Sequence, residues 1–547
     1  MQLLTRLYAG AYPDLSAFFS VSYLGLFLPL AVIFYGLTPK KWKNYGLLLL
    51  SCGFYWLISG PYIGYLLLSV LAIYGFGLWM QSIFARRDGA VKAAEKPDRK
   101  AIKKAYNQKA RWVLTLAVVL HVGLILVLKY SGFFMMNVNA LFGTGYAIPS
   151  YVKPLGLSFF ILQSISYLVD VYRQTVKADR CLPRLGLFLS FFPAIVEGPI
   201  CRYSQTAQAL WEAKPIRYDN LTLGLQRILF GLMKKLVVAD RLNPIVEELF
   251  ASPDSYPGYM SLLAGVLYTV QLYMDFSGSM DAVCGTAQIF GIIMPENFKR
   301  PFFSKNISEF WTRWHITLGT WFRDYIFYPV TMSSPLKKLT GAARKKLGNH
   351  FGPLIAGSIA LFAVWFCNGL WHGSAWHYIF FGLWHFVLIL LGNIFAPYLK
   401  TVNEKLHLGP ENKPFRVFQV LRTGVPVILG EIIFRADSMG MAFTMFRKIF
   451  TDFGDPFSAY YPFRDALNTL LECCLCDVWD LAIVAVTVVI VFAVSLLQER
   501  GTQIRASIAR RPTWLRWAIW YALILFIIIF GAYGPGYTPI DPMYANF

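Results

Sequence analysis

Between Phe351 and Leu399 the chain carries no Asp, Glu, Lys or Arg. About 20 apolar residues make one bilayer crossing, so a charge-free run of this length belongs at membrane depth. The same stretch holds His372, His377 and His385, three of the seven histidines in the sequence. An ionisable group inside a membrane is costly unless it is partnered, and it points to function by default.

Composition carries the membrane reading to the whole chain. Of 547 residues, 56% are hydrophobic and 15% charged, against about 25% charged in soluble domains. The net charge of +21 would suit nucleic acid, but no recognised binding motif accompanies it. Most of the excess lies instead in three short segments beside apolar runs: Arg86 to Arg111, Lys337 to Lys346 and Glu499 to Arg516. Such segments read as cytoplasmic loops whose nearest counter-charge is anionic lipid. The N-terminus, the acidic loop Asp452 to Asp480 and the C-terminal tail then lie outside. Arg6 followed by the apolar Ala17 to Leu37 reads as an uncleaved first crossing, since a signal peptide has a shorter apolar region and a small-residue cleavage site. The eight cysteines do not form a disulfide framework or a zinc-ribbon pattern.

The candidate crossings are Ala17 to Leu37, Tyr45 to Ser59, Tyr62 to Phe84, Val113 to Leu128, Leu155 to Val169, Leu185 to Val196, Leu221 to Val238, Met260 to Met274 and Gly352 to Leu370. Tyr378 to Ile394, Val417 to Phe434, Leu481 to Leu497 and Trp517 to Phe530 complete the set. Several are short or broken at Gly60-Pro61, Pro193 and Gly198-Pro199, and re-entrant backbone is tolerated only where it is buried in protein or lines a cavity. The fold class is therefore an all-α polytopic membrane protein of about 10–13 transmembrane or re-entrant helices, with residues 1–547 forming one membrane domain. No internal repeat is visible, which weakens the case for a transporter built from repeated halves.

On a straight helix His372 and His377 point about 140° apart, and no acid or cysteine lies between Asn368 and Leu399. A local metal triad is therefore disfavoured. General-base chemistry needs only one neutral imidazole with a partner to fix its tautomer. Asn368, one turn before His372, supplies that partner if the helix continues through both. Burial disfavours the charged form of an imidazole and keeps it proton-accepting. Gly369 and Gly373 remove bulk, so that a substrate or another helix can approach. The alternative, a histidine hydrogen-bonded between helices, suits His377 and His385 better than His372.

Two further clusters carry charge among rings. In Glu309 to Tyr325 (EFWTRWHITLGTWFRDY), Glu309 and Arg313 make an i,i+4 pair in the favourable order, and His315 follows. The interleaved Trp311, Trp314, Trp321 and Phe322 suit a helix lying in the interface with its rings in lipid; the other reading brings His315 towards His372. In Tyr268 to Asp281 (YTVQLYMDFSGSMD), Asp275 ends an apolar run and needs a partner, with Arg300, Arg313 and Arg323 available. Structural pairing and substrate positioning are both open to Asp275. Walker A, G-x-S-x-G, H-E-x-x-H and dinucleotide signatures are missing.

These clusters, in this order, resemble the membrane-bound O-acyltransferase (MBOAT) family, particularly its bacterial polysaccharide branch typified by alginate O-acetyltransferase. Leu155 to Arg173, Glu197-Gly-Pro199 with Arg202, Gly369 to Gly373 (GLWHG) and Ile433 to Ala436 (IFRA) share in the likeness. It covers about residues 17–450 as an MBOAT-like core, with additional membrane helices over 481–533, and the tail Phe530 to Tyr537 is similar to that of bacterial members. The resemblance implies that His372 is the catalytic histidine and His315 the second histidine of an Arg-Trp-His motif; Asn368, Arg313 and Asp275 are the supporting residues that the residue patterns above suggest. Thr312 and Gly319 depart from the branch, where Arg and Ser are common, and bear on the donor's entry route.

The resemblance further implies an acetyl group, donated by acetyl-CoA on the cytoplasmic side without a tightly bound cofactor. The group passes to an envelope or secreted polysaccharide through a separate extracytoplasmic acyltransferase, in the plasma (inner) membrane of a bacterium. Within the family the alternative is D-alanyl transfer to teichoic acid from an acyl carrier protein thioester. An acyltransferase acting on lipid or protein stays open, and outside the family so does a glycan or lipid transporter with no chemistry of its own.

Overall fold

The computed structural model describes residues 13–409, 411–460 and 462–533. Arg6 and the end of the tail, Gly534 to Tyr537, lie outside the described residues. All regular structure among those described is helical. Among the described residues seven stretches are long and apolar enough to cross a membrane, and Ser22–Leu37 and Leu157–Tyr172 are shorter apolar helices. One of the seven, Lys40–Ala93, contains two of the expected crossings, as the helices Lys43–Ser59 and Ile63–Ala93.

Two expectations change. Leu185 to Val196 is not a crossing: the helix there, Leu182–Ser190, has only 9 residues, about 14 Å at 1.5 Å per residue. Phe191 then leaves helical geometry, ahead of Pro193, which has no N–H to donate and disfavours helix in the residue before it. The irregular chain that follows is buried, from Phe191 to Cys201, as non-helical backbone at membrane depth must be. The first two basic segments are largely helical, whereas Glu499 to Arg516 joins two apolar helices through turns and the short helix Ile504–Ala509. Arg86 to Lys92 extend the Ile63–Ala93 helix, and Lys337 to Lys346 lie within Ser334–His372, ahead of a kink at Gly348. Lys and Arg are good helix formers, and hydropathy alone does not register a helix that continues past its apolar part.

The described residues divide into two compact units, one built from residues 13–227 with Ala282–Pro295, the other from Ile228–Asp281 and residues 296–533. In the first, Leu157–Tyr172 is almost wholly buried. Its entry turns on Gly156, which has φ +70 and lies where a Cβ would come within 1.9 Å of the Ile195 carbonyl oxygen. Aromatic packing joins distant segments, Phe192 meeting Phe27 and Phe290 at 5.5 Å between ring centres. Asp179 is buried beside Arg184 (2.5 Å) and Tyr203.

In the second unit Ser334–His372 and Trp376–Lys405 form a helical hairpin, and Lys413–Arg435 packs on its second arm. A π-helical stretch, Met233–Ala239, receives Val478–Glu499 and Thr513–Phe530 against it. The face of Val478–Glu499 that is buried carries Val484, Thr487 and Val491, at the three- and four-residue steps of one helical stripe.

Candidate active site

The Ser334–His372 helix ends at His372, and Gly373 is extended before a new helix starts at Trp376. His372 therefore belongs to a different helix from His377 and His385, and the straight-helix angle between them does not apply. The hairpin closes tightly here. A Cβ on Gly369 would lie 2.5 Å from the Tyr378 carbonyl oxygen, and one on Gly373 would lie 2.2 Å from Tyr378 ring carbons. The space that these glycines leave is thus taken by the second arm of the hairpin.

His372 is buried, 3% exposed. Its ring meets Trp371 at 4.9 Å, Phe434 at 5.0 Å and Phe381 at 5.8 Å between centres, each edge to face. Asn368 lies on the same helix and is buried, but its Oδ1 has no hydrogen-bond partner among the described residues. The Asn368 oxygen therefore does not accept from the His372 ring, which has aromatic edges around it.

His315 is the hinge between the short helices Ile307–Arg313 and Ile316–Phe322, with φ +44 and ψ +52. A left-handed conformation costs a residue with a Cβ about 1–2 kcal/mol, so its neighbours must hold it. Residues 297–299 do this by running beside it. Lys299 N–H donates to the Arg313 carbonyl at 2.9 Å and Ile316 N–H to the Asn297 carbonyl at 3.0 Å. Asn297 Oδ1 accepts from the Thr317 N–H at 3.1 Å and from the Thr317 hydroxyl at 2.6 Å. The His315 ring packs on Phe276 at 4.9 Å and on Trp371 at 5.5 Å. Trp371 thereby touches both His315 and His372, and the three sequence clusters meet around it.

The Glu309 cluster is not an interfacial anchor. Trp314, Trp321 and Phe322 are buried within the protein, and Trp311 Nε1 donates to His385 Nδ1 at 3.2 Å. That bond ties the Ile307–Arg313 helix to the hairpin, the structural role expected of His385. His377 is buried with its ring against Tyr378. Among the described residues no three His, Cys, Asp or Glu side chains converge as metal ligands.

The ion pairs differ from expectation. Asp275 pairs with Lys235 at 2.6 Å, not with an arginine, and Lys235 also holds Asp240 at 2.9 Å. Lys234 pairs with Asp281 at 2.5 Å. Arg313 bonds Glu309 at 2.7 Å as the spacing requires, but it shares Glu499 with Arg300, at 3.1 and 2.5 Å. Arg323 pairs with its neighbour Asp324. Sequence reasoning passed over Lys234, Lys235, Asp240, Asn297 and Glu499. Two consecutive lysines inside the apolar run Leu221 to Val238 were a signal for the first pair, since cations at that depth need partners.

Residues 182–344 match the model of MBOAT, the membrane-bound O-acyltransferase family. A probable alginate O-acetylase of Azotobacter vinelandii is 31% identical over 445 residues, 80% of this chain and 78% of that protein. The chain belongs to the membrane-bound O-acyltransferase family. As a member it is an O-acyltransferase and a multi-pass membrane protein. Other members similar to it differ in what their names say they act on. A peptidoglycan O-acetyltransferase of Helicobacter pylori is 29% identical over 68% of this chain and 67% of its own length. A teichoic acid D-alanyltransferase of Bacillus subtilis is 31% identical over 51% and 68%. The segment matched by the family model carries Asp275, Arg313 and His315 and stops short of His372, whereas a match over 80% of the chain necessarily spans His372 as well.

Proposed function

We propose that the protein passes an acetyl group from acetyl-CoA on the cytoplasmic face of a bacterial inner membrane towards an envelope or secreted polysaccharide, with His372 as general base. The observation that carries the reading is the pair of buried imidazoles, His372 and His315, packed on one indole where the three clusters meet. A hydroxyl oxygen attacks the thioester carbonyl carbon while its proton passes to His372; the carbon–sulfur bond then breaks, and the imidazolium returns the proton to the leaving thiolate. Base catalysis of this kind contributes about 10²- to 10⁴-fold, and positioning of donor and acceptor supplies much of the rest. His315 polarises or positions a reactant, and Asp275 and Arg313 hold the elements around it. Asn368, whose buried amide oxygen has no partner among the described residues, is available to a reactant. The basic segments face the cytoplasm, and a separate extracytoplasmic acyltransferase completes transfer to the glycan.

Acetyl is favoured over D-alanyl by the longer match to alginate O-acetylases, 80% of the chain against 51%. The test is to release base-labile esters from cells making the native protein, His372→Ala or His372→Gln at equal expression, and to identify the acid. Loss of acetate in both variants supports the proposal, and loss of D-alanine points to the carrier-protein donor. An unchanged ester content in either variant would sink the catalytic role of His372.

A further inference from the structure

We infer that Glu499, at the end of a C-terminal helix outside the region on which the family resemblance was drawn, is a positioning residue for His315. The inference rests on the assignment of His315 to the reaction centre. The segment 297–300 runs beside 313–317, and each carries one residue in left-handed geometry, Arg300 (φ +50) and His315 (φ +44). At one end of this paired segment Asn297 holds Ile316 and Thr317, and it is fixed in turn by its Nδ2 contact with Met280 Sδ at 3.0 Å. The other end carries two guanidiniums, which repel each other unless an anion lies between them. Glu499 is that anion. Its Oε2 accepts from Arg300 Nε at 2.5 Å, and both its oxygens accept from Arg313 at 3.1 Å. Arg313 Nη1 also reaches the Arg300 carbonyl at 3.4 Å.

The helix that delivers Glu499 is itself fixed at its start and on its flank. Asp480 pairs with Arg241, Val484, Thr487 and Val491 are buried, and Phe492 stacks on Phe303 at 5.5 Å. The carboxylate therefore arrives at a set place. It joins the residue before the paired segment's turn, Arg300, to a residue two positions before His315. Without it the two arginines separate, the bonds between 297–299 and 313–317 loosen, and the left-handed His315 relaxes away from Trp371 and Phe276. A displacement of about 1 Å at a reacting group can cost 10²-fold in rate.

The test uses the full-length protein and two readouts: the rate at which base-labile ester accumulates in cells after induction, per unit of membrane-inserted protein, and hydrogen–deuterium exchange of the peptide containing Ile316 and Thr317 in detergent. Glu499→Ala is expected to slow ester formation about 10- to 100-fold and to speed exchange in that peptide, and Glu499→Asp to restore much of both. Should Glu499→Ala fail to insert, the isosteric Glu499→Gln takes its place. A full rate with unchanged exchange overturns the inference, and so does a slowed rate with unchanged exchange, which would make Glu499 act otherwise than through His315. Faster exchange at full rate also overturns it, and His315→Ala then separates the causes: a full rate in that variant means that His315 has no part in the reaction, whereas a lost rate means that the histidine matters and Glu499 does not position it.

Discussion

Replacing Lys235 by Met is the perturbation with the largest effect to be expected in the second unit. Lys235 Nζ lies 2.6 Å from Asp275 and 2.9 Å from Asp240, and the three side chains are 4%, 4% and 1% exposed. Removing one member of a buried ion pair costs about 3–5 kcal/mol because the remaining charge is left without compensation. Here two carboxylates are left, so Lys235→Met should lie at or above the top of that range. The triple variant Lys235→Met, Asp240→Asn, Asp275→Asn removes all three charges. It should recover most of the loss, leaving buried amides that cost about 1–3 kcal/mol where unsatisfied. The assay is reversible denaturation of the purified variants in detergent followed by tryptophan fluorescence, with ester formation in cells measured alongside. Asp275 is adjacent to Phe276, which packs on His315, so ester formation should fall with stability in the single variant and return in the triple. A loss under about 1 kcal/mol, the scale of a solvent-exposed pair, would refute the reasoning, as would a triple variant no better than the single.

Gly373→Ala should reduce ester formation strongly, because its Cβ would fall 2.2 Å from the Tyr378 ring; adding Tyr378→Ala should restore helix closure, measured as recovery of thermal stability. His385→Phe removes the acceptor of the Trp311 indole N–H, and the buried donor left unsatisfied should lower stability by about 1–3 kcal/mol in the same denaturation assay. For Asp179, burial by itself would raise the carboxyl pKa, but hydrogen bonds from Arg184, Tyr203 and the Cys181 N–H hold it below the ordinary value. A lowered folded-state value stabilises the fold above the unfolded pKa of about 3.9, and that stability is lost as pH falls through the folded value. Asp179→Asn should therefore destabilise at pH 7 and flatten the loss of stability that the native protein shows below about pH 4, read by denaturation across that range.

The membrane helices were legible because an apolar run of sufficient length has few alternatives. The boundaries were less so, because charged residues such as Lys337 to Lys346 prolong helices beyond the apolar part, and Pro193 ends one early. Two of the clusters around the site could be read from their unusual mixture of rings and charges, and the third from histidines inside a charge-free run. Their pairings could not. The i,i+4 rule found Glu309 with Arg313 but also offered Asn368 to His372, where the Asn368 oxygen accepts no hydrogen bond among the described residues. Lys235 with Asp275, and Arg313 with Glu499, join residues far apart in the chain, for which no local rule exists; for Asp275 the following segment offered Arg300, Arg313 and Arg323, and Lys235 lies on the other side in sequence.

The indole of Trp371 touches both imidazoles, at 5.5 Å from His315 and 4.9 Å from His372. An indole is a rigid plate with only two rotatable bonds to its backbone, so the gap between the histidines is gauged by a covalent object and not by the flexible chain on either side. Any redesign meant to admit a larger acyl group by moving one histidine would have to move the other with it, or replace the plate that spaces them.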